Sequence, residues 1–221
     1  MYKRQSVGRI LDTLEKNNLT DNTLIVLTSD NGGANYIHLS DINKPYRGWK
    51  LTHFEGGLHV PFMAKWPNKI KPGIEFNAPI HANDILPTFA AAAGAELPDD
   101  RIIDGVNLLP FLQNHNSDMP HETLYWLQGR LQTVLHENWK LITDHRTGKD
   151  WLFNVESDPY ERINLASEMT LKVEELKRLL NDHKKVQPPP LYDNTMSVPI
   201  LIDKHNGYAF QDGDEFTYWD N

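Results

Sequence analysis

Between residues 6 and 17 the apolar positions fall on one helical face, with Val7, Ile10, Leu11 and Leu14 at i, i+3, i+4 and i+7. A polar turn at residues 17–22 ends that pattern. Leu24, Ile25, Val26 and Leu27 then run without a break, the signature of a strand buried on both faces of a parallel sheet. A helix feeding a buried strand predicts α/β wiring. It also sets Ser29, Asp30 and Asn31 at the strand's carboxyl end, where open α/β sheets bind ligands. Residues 34–58 show no period and read as a long functional loop. Residues 60–64 read as a further strand, with Pro61 at its start or on an edge. Asn83 or Asp84 is placed to cap a helix that runs to Ala93, with Pro87 in the first turn and Gly94 as the stop. Residues 108–112 form a short helical turn.

The texture changes after about residue 115. Four short strand candidates, at 124–126, 132–135, 139–142 and 152–154, are separated by turn residues and read as antiparallel hairpins. An amphipathic helix follows over 168–184, with Val173, Leu176, Leu179 and Leu180 on one face. This predicts a small sheet covered by one helix. Pro188, Pro189 and Pro190 interrupt the chain, and residues 188–221 read as an irregular, aromatic and acidic tail.

Composition narrows the chemistry. The 221 residues contain no cysteine, which removes disulfides, thiolate metal sites and cysteine nucleophiles. A formal net charge of −8 argues against general nucleic-acid binding. No stretch approaches a membrane span, and the first residues show no secretory pattern, which by itself names no compartment. Local positive charge gathers in residues 44–72, where Lys44, Arg47, Lys50, Lys65, Lys69 and Lys71 face the single acid Glu55. That cluster serves an anion or forms a solvated basic face.

Asp30 and Asn31 offer two hard oxygen donors suited to Ca²⁺ or Mg²⁺. Gly32 and Gly33 permit the bend that lets neighbouring side chains face one ion, although Asp-Asn-Gly also builds ordinary turns. Lys50 is a point charge for a sulfate or phosphate oxygen, and Arg47 is a second substrate-binding candidate. The turn Glu55-Gly56-Gly57 implies close approach of backbone. His53 and His59 flank it as candidates for proton donation or anion binding. Zinc is disfavoured, with no HExxH and no compact histidine spacing.

Taken in order, these pieces resemble the C-terminal half of a sulfatase of the arylsulfatase type, in the alkaline-phosphatase superfamily. Residues 22–32 are similar to that family's metal-binding strand and loop. Arg47-Gly48-Trp49-Lys50 and Phe54-Glu55-Gly56-Gly57 through Pro61 resemble its second signature. Asp84 through Thr88, Asp104-Gly105, Trp139 through Ile142, Leu152-Phe153-Asn154, Asp158-Pro159-Tyr160-Glu161 and Asn164-Leu165-Ala166 continue the likeness.

The resemblance implies an α/β fold: part of a mixed sheet with flanking helices (residues 1–118), a C-terminal subdomain of antiparallel strands plus a helix (119–187) and a tail (188–221). It implies that Asp30 and Asn31 ligate a divalent cation, usually calcium, and that Lys50 contacts the sulfate of an aryl or carbohydrate sulfate ester. Asp158 and Glu161 are expected to organise a turn and the following helix start. His59 stands where the family carries arginine. The family's nucleophile is a formylglycine made from the first residue of a Cys- or Ser-x-Pro-x-Arg motif, and no such motif occurs in this sequence. The expectation is a sulfatase chain that supplies metal and sulfate contacts but is inactive alone, and that self-associates or pairs with a complementary half. The alternatives are a phosphoester or phosphonate hydrolase of the same superfamily and a non-catalytic module that binds sulfated glycans.

Overall fold

A computed structural model describes residues 2–114, 116 and 118–220. The chain is mixed α/β, as expected, and its contacts divide it into two compact units.

The first unit comprises residues 1–28 and 61–121. Its amphipathic helix, α1 (Tyr2–Lys16), begins earlier than the apolar period does. Strand β1 (Ile25–Thr28) pairs antiparallel with β2 (Phe62–Lys65), Val26 opposite Ala64. The expected parallel neighbours of β1 are not what the described residues show. Leu27 is 42% and Met63 55% exposed, so the apolar run is only half covered here. The unit's core gathers below, where Trp66, Ile70, Leu108, Leu109 and Leu112 pack with Leu24, Phe62 and Val106. Helix α3 (Ile85–Ala93) ends on Gly94 in the left-handed region, as its sequence predicts, and α4 (Leu109–Leu112) is one turn. The start of α3 is built differently from the expected cap. A 3₁₀ turn precedes it, in which the His81 ring accepts from the Asn83 N–H while the Asp84 carboxylate accepts from the His81 N–H. Asp84 is fully buried and also receives Val106 N–H and the His121 ring.

The second unit comprises residues 29–60 and 122–221. Strands β3 (Thr123–Gln128), β4 (Leu131–His136), β5 (Trp139–Asp144) and β6 (Lys149–Asn154) form an antiparallel meander in sequence order. Successive residues point to opposite faces. One face carries Val134, Leu141 and Leu152 against Val173, Leu176 and Leu180 of α5 (Thr170–Val186). The other carries Leu131, Ile142, Trp151 and Phe153, packed with Phe54 and Ile202. The sheet is therefore covered on both sides, by the expected helix and by the loop that contains Phe54. The tail is not irregular. Strand β7 (Ser197–Leu201) pairs antiparallel with β8 (Phe216–Asp220). No helix among the described residues is long and apolar enough to cross a membrane.

Candidate functional site

Three glycine segments of the second unit lock together around the loop that holds the candidate residues. Gly32 donates to Gly57 O at 3.0 Å, and Gly56 donates to Arg47 O at 2.6 Å. A Cβ on Gly32 would lie 1.8 Å from Gly56 O, and one on Gly56 would lie 2.3 Å from Gly48 O. The close approach implied by Glu55-Gly56-Gly57 is thus backbone against backbone. Helix α2 (Glu55–Leu58) is the single turn that results.

Asn43 completes the knot. Its Oδ1 accepts from Gly33 N–H at 2.6 Å, and its Nδ2 donates to Gly33 O and to Gly48 O. Lys50 N–H donates to the same Gly33 carbonyl at 3.0 Å. The structure therefore anchors the Lys50 backbone two residues from Asn31. Asn31 donates its Nδ2 to Gly32 O at 2.9 Å, so the amide oxygen is the atom left to serve as a ligand. Asp30 is exposed, with Ser29 Oγ 3.5 Å from its Oδ1. Among the described residues no lysine or arginine pairs with Asp30 and no carboxylate pairs with Lys50, whereas Lys44 is bound to Asp41 and Arg47 to Asp203 and Glu215. The donors fit a hard cation in kind. Two of them are far from the six to eight oxygens that calcium takes. Among the described residues, no group of three or more His, Cys, Asp or Glu side chains is placed to hold a metal.

Two expected site residues are turned to other work. Arg47 is 9% exposed. Its Nε and Nη2 grip both oxygens of Asp203 at 2.7 and 2.6 Å, Nη2 also meets Glu215, and the guanidinium lies over the Phe54 ring. Burial works against its charge, but the hydrogen bonds it donates to Asp203 and Glu215 prevail and hold it protonated above the usual arginine range. Arg47 thus clasps the connection between β7 and β8. His53 is 5% exposed, with Nδ1 2.9 Å from Thr133 Oγ1 of β4. Burial, with the nearby Lys140 charge, pushes its pKa down to about 3. In this arrangement His53 ties the loop to the sheet.

His59 is different. Its side chain is half exposed, its Nδ1 meets Glu55 Oε2 at 2.8 Å, and its ring stacks on Tyr46 with centroids 4.4 Å apart. Glu55 also contacts Lys140 at 2.6 Å. Burial alone would raise the Glu55 pKa, but Lys140 and His59 outweigh it and hold the group down at about 2. Asp158 organises a turn, as expected, accepting from Ile163 N–H at 2.8 Å. Glu161 does not start the next helix, which begins nine residues later at Thr170. It is fully buried beside Lys140. A shallow depression of about 420 Å³ along α1, lined by Gln5, Ser6, Gly8, Arg9 and Asp12, contains none of these residues.

Sequence reasoning missed Asn43, Thr133 and Lys140. The first is an asparagine in a loop rich in that residue, and the other two read as ordinary strand positions. Their partners lie 5 to 85 residues away, beyond any local pattern.

Residues 2–95 match the family model for sulfatases. The chain is 39% identical over 161 residues to the steryl-sulfatase of Rattus norvegicus, a match that covers 70% of this chain and 27% of that protein. The chain belongs to the sulfatase family. The sulfatase likeness extends over most of the chain. The ulvan-active sulfatase of Formosa agariphila is 29% identical over 242 aligned residues, with 91% of this chain and 44% of that protein covered. The crystal structure of Ps i-CgsB in complex with k-i-k-neocarrahexaose superposes with a TM-score of 0.74 at 30% identity, covering 85% of this chain and 42% of that one. The chain spans about a quarter to a half of the length of these proteins.

Proposed function

We propose that this chain carries the cation- and sulfate-binding portion of a sulfuric ester hydrolase. In this reading Asp30 and Asn31 hold Ca²⁺ or Mg²⁺ through one carboxylate and one amide oxygen, and Lys50 contacts a sulfate oxygen. The supporting observation is the shared Gly33 anchor: it fixes Lys50 beside the Asp30–Asn31 loop, and Lys50 is the cation of that loop without a carboxylate partner among the described residues. A bound divalent cation would polarise the sulfate and neutralise charge on its oxygens. Lys50, anchored through its backbone, would add positive charge to the same purpose. His59, oriented through Nδ1 by Glu55 and with Nε2 3.4 Å from the Tyr46 hydroxyl, would turn Nε2 from Tyr46 to a leaving alcohol as a general acid. The ulvan-active relative and the neocarrahexaose complex support a sulfated carbohydrate as the substrate class.

With no Cys- or Ser-x-Pro-x-Arg motif in the sequence, the covalent half of the reaction has no residue here to carry it. Loss of a nucleophile lowers turnover by several orders of magnitude. The purified chain is expected not to hydrolyse p-nitrophenyl sulfate above the buffer rate, and robust turnover by a preparation free of other sulfatases would contradict this. Binding is the more direct test. A sulfated oligosaccharide should bind more tightly with calcium present, and Asp30→Ala should abolish that gain. Binding that ignores calcium and survives Asp30→Ala would identify a glycan-binding module instead. Equal calcium-dependent binding of a phosphorylated analogue would favour phosphoester chemistry.

A further inference from the structure

We propose that Lys140 and Glu161 are positioning residues for the sulfate-binding loop, acting through Glu55; the inference rests on the reading of Asp30, Asn31 and Lys50 given above. Lys140 is the second residue of β5, on the face that carries Ile142, and is 1% exposed. Its Nζ lies 2.6 Å from Glu55 Oε1 and 2.7 Å from Glu161 Oε1, the second an ion-pair contact rather than an aligned hydrogen bond. The other Glu161 oxygen accepts the Glu55 backbone N–H at 2.6 Å. Glu55 is thus held at both main chain and side chain by groups 85 and 106 residues further on.

A triad of this kind is a poor stabiliser. Desolvating three charges opposes folding, and apolar replacements of buried ion clusters are often neutral or better. What it supplies is direction. Glu161 takes a left-handed backbone conformation, φ +56°, which a glutamate adopts at a cost, and in it the side chain reaches Lys140 and the Glu55 amide. From Glu55 the constraint passes two ways. Along the chain, Gly57 O receives Gly32 N–H, next to Asn31. Through the carboxylate, Oε2 fixes the His59 ring, whose other face meets Tyr46, itself against Tyr160. The C-terminal sheet therefore sets the geometry of a site to which it lends no ligand.

The test compares the 221-residue chain with the double variant Lys140→Met/Glu161→Gln, which removes both charges together, and with Lys140→Arg, which keeps the cation. Sulfate affinity in the presence of calcium is measured alongside the amide resonances of Gly32, Gly56 and Gly57 and thermal stability. The double variant should lose about tenfold or more in affinity and displace the three glycine resonances, with a lowered melting temperature because the Glu55 carboxylate loses its Lys140 partner. Lys140→Arg should restore most of the affinity. In a Glu55→Gln background the same double change should have less than about twofold effect, because the coupling runs through Glu55. Wild-type affinity and unmoved glycine resonances in the folded double variant would overturn the proposal. If that variant does not fold, Glu161→Gln alone, which keeps an acceptor for the Glu55 amide, decides by the same readouts. Absence of sulfate binding in the unmodified chain, with the glycine resonances still displaced in the variant, would refute the site reading while supporting the coupling.

Discussion

His53 and Arg47 show how far a residue's chemistry depends on what surrounds it. Both are candidates for the site by sequence, and both are enclosed in the structure. The consequence for His53 is a pH-dependent stability with a definite sign. Its folded pKa of about 3 lies below the ordinary histidine value, so the unfolded chain takes up a proton first as pH falls. The stability is complete above about pH 6.5 and is lost progressively from there down to about pH 3. Between pH 7.5 and 5 the loss should be about 2 kcal/mol, read from urea midpoints, and His53→Gln should flatten that slope. Glu55 acts in a lower window. Held near 2, it stabilises fully above about pH 4.5 and ceases to do so as pH falls through its folded value. Arg47→Met should destabilise by about 2 kcal/mol in the same assay, less than a fully buried pair, because Asp203 and Glu215 are 48% and 31% exposed. Unaltered stability would mean that the β7–β8 clasp is idle.

At the scale of elements, the glycine knot is the feature that brings separate segments together. Gly32→Ala forces a Cβ to 1.8 Å from Gly56 O and should cost several kcal/mol or displace the loop. Gly8→Ala, in α1 with nothing within 4 Å, should stabilise by about 0.5–1 kcal/mol and serves as the control. Equal effects of the two changes in thermal unfolding would remove the knot from the account. The periodic elements were legible in the sequence: α1, α3, α5 and all four strands of the meander follow from their apolar spacing. Strand β6 begins at Lys149, inside what reads as a turn, because pairing with β5 overrides the local turn chemistry. The β7–β8 pair was hidden by prolines and acidic residues, and Arg47, which contacts the connection between its strands, lies far away in sequence. The segments Asp30-Asn31-Gly32-Gly33 and Arg47-Gly48-Trp49-Lys50 were legible as motifs, but Asn43, which joins Gly33 to Gly48, carries no signal in a single sequence.

For the molecule as a whole, the first unit leaves apolar surface open. Ile10 is 59% exposed, Leu27 42%, Met63 55%, Leu86 57% and Phe89 43%. A two-stranded sheet with free edges is marginal by itself and offers itself to further strands. The chain is expected to self-associate at raised concentration or to bind a complementary sulfatase segment, and Leu27→Lys with Met63→Lys should reduce the association seen by light scattering. A monomer at high concentration would count against this. The central claim, that the Asp30–Asn31 loop and Lys50 form one site for a cation and a sulfate, is tested most directly by titrating calcium into the isotopically labelled chain at fixed sulfate while following amide resonances. Residues 30–33 and Lys50 should shift together along one binding curve, with a dissociation constant on the order of 10⁻³ M for so few ligands, and Asp30→Ala should abolish both shifts. Shifts confined to other acidic surfaces, or a response at Lys50 that persists in Asp30→Ala, would contradict it.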